Sequence, residues 1–115
     1  MDEPPAEAFD VPSLEEARAE AQRRTGELYL EFLRRDSMSC GLYVLEAGAD
    51  DPQEPHQEDE VYLVLAGRAR LEVAGRDHLV GPGSVLFVAR TVPHRFHDVT
   101  ERLSVVVFFA PAETV

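Results

Sequence analysis

Residues 54–67 read EPHQEDEVYLVLAG, and residues 82–98 read PGSVLFVARTVPHRFHD. In the first stretch His56 and Glu60 stand four positions apart, where an acidic loop runs into an apolar strand. In the second, His94 opens another apolar strand. Residues an even number apart on an extended backbone point to the same side. Glu54, His56, Glu58 and Glu60 can therefore share one face, as can His94, Phe96 and Asp98, with His97 on the opposite face. Two imidazoles and a carboxylate brought together from two strands can hold one divalent metal, since iron, manganese, zinc, nickel and copper all accept this donor set. Acids turned into an apolar interior cost several kcal/mol each unless paired or neutralised. A bound cation removes that cost, and so does water filling an open mouth. Tyr62 and Phe96 would wall such a site, with Tyr43 as a further pocket residue.

Outward from these stretches the chain is a series of short apolar runs divided by turn residues. GELYLEFLRR alternates, with Leu28, Leu30 and Phe32 on one face. SMSCGLYVLEA, VYLVLAG, RARLEVAG, HLV, SVLFVA, HRFHDV and LSVVVFFAP follow, which makes about eight strands. AGRA at 66–69 and AGRD at 74–77 read as hairpin turns. Many short strands at regular spacing predict an all-β sandwich or barrel. Runs such as LSVVVFF are apolar on both faces, so one face fills the interior and the other meets a partner surface. This excess of apolar strand surface predicts a homodimer.

Helical signals are confined to the N-terminal part. After a loose leader with Pro4, Pro5 and Pro12, SLEEARAEAQRRTG offers Ser13 as N-cap and Glu16 as its capping-box partner. Arginines close the segment and Gly26 stops it. The expectation is one short helix at about 13–24, with Phe9 and Val11 free to dock on the body. Residues 1–25 are thus a leader and helix, and residues 26–115 a β-barrel.

The chain has 115 residues, enough for one domain with a core. Its formal charge is −11, carried by the first 60 residues with 17 acids and 5 arginines, against 5 acids and 6 arginines in the rest. Such an acidic surface repels nucleic acid and anionic membranes, so neither is expected as a partner. No apolar run approaches the roughly 18 residues of a membrane span, and the acidic, proline-containing start does not read as a secretory signal. The single cysteine, Cys40, fits a reducing cytoplasm and reads as a small buried hydrophobe. The chain contains no lysine, which excludes Schiff-base chemistry on a lysine of its own.

The two stretches resemble the motifs of the cupin superfamily, small double-stranded β-helix barrels of jelly-roll type. The first cupin motif sets His-x-His, then a glutamate, then six residues and a glycine. Here Glu60 and Gly67 keep that spacing, His56 stands at the second histidine, and Glu54 replaces the first. The second motif is matched by Pro82-Gly83 and His94, with Asp98 at the place of a late asparagine. The resemblance covers roughly residues 38–110. It implies a metal on His56, Glu60 and His94, with Glu54 as a possible fourth ligand. A two-histidine, one-carboxylate set suits non-haem iron(II), and the added negative charge favours iron or manganese.

Function is less legible. One reading is a mononuclear metal enzyme with dioxygenase-like chemistry on a small molecule, isomerisation or lyase chemistry being possible on the same scaffold. The other is a non-catalytic cupin that binds or senses a small ligand, with or without metal. A third is an interaction protein built on the barrel dimer. Fold does not choose among them. Tyr43, Tyr62 and His97 are the only additional acid–base groups in reach, and no DNA-binding helix pair with a basic face is present.

Overall fold

The computed structural model describes residues 4–114; the first three residues of the expected leader, and Val115, lie outside them. One helix, α1 (Val11–Thr25), precedes six strands: β1 (Tyr29–Arg35), β2 (Met38–Leu45), β3 (Asp59–Val73), β4 (Arg76–Val80), β5 (Val85–Val88) and β6 (His94–Ala110). All pairings are antiparallel, in the order β1-β2-β6-β3-β4, and β5 pairs with β3.

The helix begins earlier than its sequence signals indicate. Asp10, not Ser13, is the N-cap; it is extended, and its side chain accepts from Ser13 N at 2.9 Å. Pro12 then falls in the first turn, where its fixed φ favours helix and its missing N–H costs nothing. Gly26 ends the helix in the left-handed conformation and donates to Gln22 O at 2.8 Å. Phe9 docks on Phe32 with ring centroids 4.9 Å apart. Leu14 packs over Leu42, Val44 and Val106, which explains why β2 is buried on both faces.

Eight expected strands become six because two expected breaks are bulges. AGRA at 66–69 is not a hairpin turn: β3 continues through it, with Gly67 at φ 93°. Glu60, Tyr62 and Val64 are buried before this point, and Ala69 and Leu71 after it. The inward parity changes from even to odd, as one extra residue in a strand requires. β6 makes the same change at Asp98, whose φ is 49°: His94 and Phe96 are buried before it, Val99 and Leu103 after. The β3–β6 register shifts accordingly, from Val64↔Val105 to Arg70↔His97. The two longest strands thereby bend together and fold the sheet over its own core. The second hairpin turn does form, with Ala74 and Gly75 both at positive φ between Val73 and Arg76.

The interior is filled by Tyr43, Leu45, Tyr62, Val64, Leu71, Phe96, Leu103, Val105, Val107 and Phe109. A second, outer cluster of Leu42, Val44 and Val106 lies on the other face of the sheet. The both-faces-apolar reading of LSVVVFF thus corresponds to one inner face and one outer face partly covered by α1.

Candidate metal centre

His56 lies in the loop before β3, Glu60 is the second residue of β3, and His94 is the first of β6. Strand pairing brings them together. Glu60 sits opposite Val88 at the end of β5, and a short loop runs from there to His94. That loop is tied to the His56 segment by Thr91 N donating to His56 O at 2.7 Å and Arg90 N donating to Asp59 Oδ1 at 2.9 Å. One ligand atom from each of His56, Glu60 and His94 lies within 4.8 Å of the others.

Glu60 and His94 are almost fully buried, whereas the His56 side chain keeps 19% of its surface exposed. His94 Nδ1 faces the Val92 carbonyl at 2.9 Å, which orients the ring and leaves Nε2 turned toward Glu60. His94 Nε2 lies 2.7 Å from Glu60 Oε1 but makes no aligned hydrogen bond, and Glu60 Oε2 has no hydrogen-bond partner. Buried polar atoms are normally satisfied. Two unsatisfied ligand atoms converging beside the His56 imidazole fit a cation, the chemistry that would satisfy both together. Burial presses the His94 pKa down, but the Glu60 carboxylate and the Val92 carbonyl outweigh it, and the net shift is upward. Contact with Glu113 raises the pKa of His56 against the opposing effect of burial.

Glu54 is exposed and outside this group. Residues 50–58 form no strand, so the two-residue alternation that would align 54, 56 and 58 does not operate there. Glu58 is buried but faces the C-terminal segment, accepting from Thr114 N at 3.2 Å and from the Thr114 hydroxyl. Asp98 is not on the pocket face: the bulge turns it outward, near Arg70. His97 points away from the metal group and meets Asp77 at 2.7 Å. His78 is exposed on β4.

The three expected pocket residues divide. Tyr62 and Phe96 are fully buried beneath the metal group, their rings 5.0 Å apart. Tyr43 lines a cavity of about 110 Å³ that also touches His56. Its hydroxyl donates to Asp51 Oδ1 at 2.7 Å. Burial, then Asp51, pushes the Tyr43 pKa up, and burial does the same for Tyr62, so both act as protonated donors. Tyr43→Phe should lower stability by about 1.5–3 kcal/mol, the usual worth of a hydrogen bond to a charged group, as read from the urea unfolding midpoint.

Sequence reasoning missed the residues that hold the site's shape. Asp51 accepts from Tyr43 Oη, Gln53 N, Gln53 Nε2 and Phe96 N, pinning the acidic loop to the barrel. Gln53 Oε1 accepts from Tyr62 Oη at 3.1 Å and lies 3.5 Å from His56 Nε2. Glu113, close to the C-terminus, reaches His56 Nδ1 at 3.2 Å. The only available signal for Asp51 and Gln53 was their presence in the loop that carries His56. Nothing local marks Glu113.

Comparison with known proteins gives a consistent picture. The Cupin domain family model matches residues 41–110. An uncharacterized protein of Streptomyces coelicolor is 46% identical over 101 residues, covering 88% of this chain and 95% of that protein. Among solved structures, a mutant salicylate 1,2-dioxygenase from Pseudoaminobacter salicylatoxidans in complex with gentisate superposes with TM-score 0.77 at 13% identity, over 89% of this chain and 32% of the enzyme. The Cnp3 cupin domain of Schizosaccharomyces pombe gives TM-score 0.66 at 16% identity, over 72% of this chain and 63% of that one. At these identities the structural likenesses establish the fold, a double-stranded β-helix, and no more.

Proposed function

The chain belongs to the cupin family, and we propose that it binds a small molecule at a divalent transition metal held by His56, Glu60 and His94, in support of dioxygenase-like chemistry. The observation that carries this reading is the pair of buried, unsatisfied atoms, His94 Nε2 and Glu60 Oε2, beside His56. When bound, iron, manganese, zinc or nickel supplies Lewis acidity and open positions for exogenous ligands. The protein's own part is orientation. Val92 fixes the His94 ring, Glu60 brings one negative charge, and Phe96 and Tyr62 exclude water from the inner side. The Asp51–Gln53–Tyr62 chain of hydrogen bonds holds the loop that carries His56.

A second reading, a non-catalytic binding cupin, draws on a different observation. Tyr43 and Tyr62, two of the acid–base groups near the site, are both engaged in hydrogen bonds and kept protonated. One experiment separates metal from no metal. Protein produced with iron, manganese, zinc and nickel supplied, and purified without chelator, should carry a stoichiometric transition metal. Wild-type protein with only trace metal would overturn the metal reading and leave a metal-free binding module.

The proposal includes a homodimer formed through the outer sheet face. Val85 and Phe87 on β5 are 67% and 62% exposed. They lie opposite Leu63 and Val61 of β3, which in turn lie opposite Val106 and Phe108 of β6. This makes a continuous apolar strip beyond the area covered by α1, the kind of surface that monomers seldom leave open. Light scattering at micromolar concentration should give twice the chain mass, and Phe87→Asp should give a monomer with unchanged metal content. A monomeric wild type would refute the dimer. No helix among the described residues is long and apolar enough to cross a membrane.

A further inference from the structure

Of the three residues in the metal group, His56 is the one that no strand holds. Glu60 and His94 lie on β3 and β6, whereas residues 51–56 form no secondary structure. Asp51, Gln53 and the Thr91 N–H fix the backbone of this loop, but a fixed backbone still leaves an imidazole a choice of rotamers. The ring is set by two further contacts. It packs edge-on against Phe109, with centroids 4.8 Å apart, and its Nδ1 lies 3.2 Å from Glu113 Oε2. Only 19% of the His56 side chain and 20% of the Glu113 side chain are exposed, so this is not a solvated surface pair. The segment after β6 is tied so as to deliver Glu113. Ala112 N donates to Asp36 O at 3.4 Å, Glu113 N donates to Ser39 Oγ at 2.9 Å, and Glu113 O accepts from Arg34. Thr114 donates to Glu58 Oε2 through its N–H, at 3.2 Å, and through its hydroxyl. Ser39 and Glu58 are both buried. Residues 112–114 therefore form a strap from the β1–β2 hairpin to the residue before β3, and Glu113 is its middle residue.

We propose that Glu113 is a positioning residue for the candidate metal centre: it holds His56 with the proton on Nδ1 and leaves Nε2 as the ligand atom. This rests on the metal reading above and adds a residue that acts through His56, since Glu113 is not itself a member of the three-residue group. A neutral imidazole has one donor nitrogen and one acceptor nitrogen, and the hydrogen bond at the first decides the role of the second. A carboxylate at Nδ1 keeps the proton there, and the lone pair stays on Nε2. Gln53 Oε1, 3.5 Å from Nε2, is at the limit of hydrogen-bond reach and already accepts from Tyr62. His94 is arranged in the same way from a different source. The Val92 carbonyl faces its Nδ1 at 2.9 Å, and its Nε2 is turned to Glu60. Metal-bound histidines donate their other ring N–H to such a carboxylate or carbonyl, which fixes the tautomer and makes the ring a stronger ligand. Val92 does this within one strand; for His56, which lies on none, the strap brings an acceptor from 57 positions further along the chain.

The test compares full-length wild type with Glu113→Ala, Glu113→Gln and Thr114→Val by two measurements. The first needs no metal. In chelator-stripped protein carrying ¹⁵N-labelled histidine, at about pH 9.5, well above the ordinary histidine range, ring ¹H–¹⁵N correlations report which nitrogen of His56 carries the proton. Wild type should show it on Nδ1, and Glu113→Ala should move it wholly or partly to Nε2. The second measurement is Zn²⁺ affinity by competition with a chromogenic chelator. Glu113→Ala should bind about 10–100-fold more weakly, the cost of losing a supporting partner. Glu113→Gln, whose amide oxygen still accepts from Nδ1–H, should recover part of that loss. Thr114→Val removes one tie of the strap and leaves the Glu113 carboxylate in place, so it should keep the wild-type tautomer and affinity. An unchanged tautomer in Glu113→Ala, or an equal loss of Zn²⁺ affinity in Thr114→Val and Glu113→Ala, would overturn the proposal. The two possible failures are distinct. A Glu113-dependent tautomer in a wild type that binds no Zn²⁺ sinks the metal reading alone. Tight Zn²⁺ binding with tautomer and affinity indifferent to Glu113 sinks the positioning role alone.

Discussion

His56→Ala, Glu60→Gln and His94→Ala should each lose stoichiometric metal, with affinity down by more than about 100-fold, beyond the 10–100-fold typical of losing a supporting partner. Among the described residues three donors converge here, so each variant leaves two, and Glu60→Gln also removes the one negative charge among the three. His78→Ala should keep wild-type metal content, because His78 is exposed on β4 away from the group. Metal added to stripped wild type should raise its melting temperature through preferential binding to the folded state, and should leave the three site variants unmoved. The pH dependence has a definite sign. In the metal-free fold both imidazoles have raised pKa values, His56 through Glu113 and His94 through Glu60 and Val92 against the effect of burial. They therefore retain protons to a higher pH than a free histidine. A metal must displace those protons, so affinity should fall as pH drops through this raised range and level off above it. Isothermal titration at several pH values reads this directly. Equal affinity in wild type and Glu60→Gln would show that the carboxylate is not a ligand.

Gly67→Ala should destabilise the barrel by about 3 kcal/mol or more, among the larger effects of a single substitution. Two costs combine. Gly67 has φ 93°, a conformation that an L side chain resists. A Cβ there would also stand 2.2 Å from Arg102 O and 2.7 Å from Leu103 Cα. Those are backbone atoms of β6, and they can retreat only by opening the β3–β6 pairing at its bend. Gly83→Ala is the control. Its φ is 88°, but nothing lies within 4 Å of the added carbon, so only the conformational cost remains, about 1–2 kcal/mol. Urea unfolding of both variants, with unchanged slope, compares the two costs. Equal losses would mean that the close approach of β6 contributes nothing.

These expectations also mark which features are local and which are not. The pairing of an apolar strand with a preceding His56 and Glu60, the second histidine at 94, and the spacing from Glu60 to Gly67 were legible because each is a short-range pattern. The resemblance to the cupin family rested on them, and the family match over residues 41–110 agrees. The helix and the turn at 74–77 were legible too, because residue type dictates backbone geometry there. Parity arguments worked only while the strand stayed regular. They placed Glu60 and His94 inward, but they failed for Asp98, because an inserted residue reverses every face beyond it. They failed for Glu54 because its segment is not a strand. Ala66–Gly67 looked like a turn because glycine serves both turns and bulges, and only the neighbouring β6 backbone decides between them. Asp51 gathers hydrogen bonds from residues 43, 53 and 96, and Glu113 meets a histidine 57 positions earlier. Such contacts come from closure of the barrel, which brings chain ends and loops together at distances that no local pattern encodes.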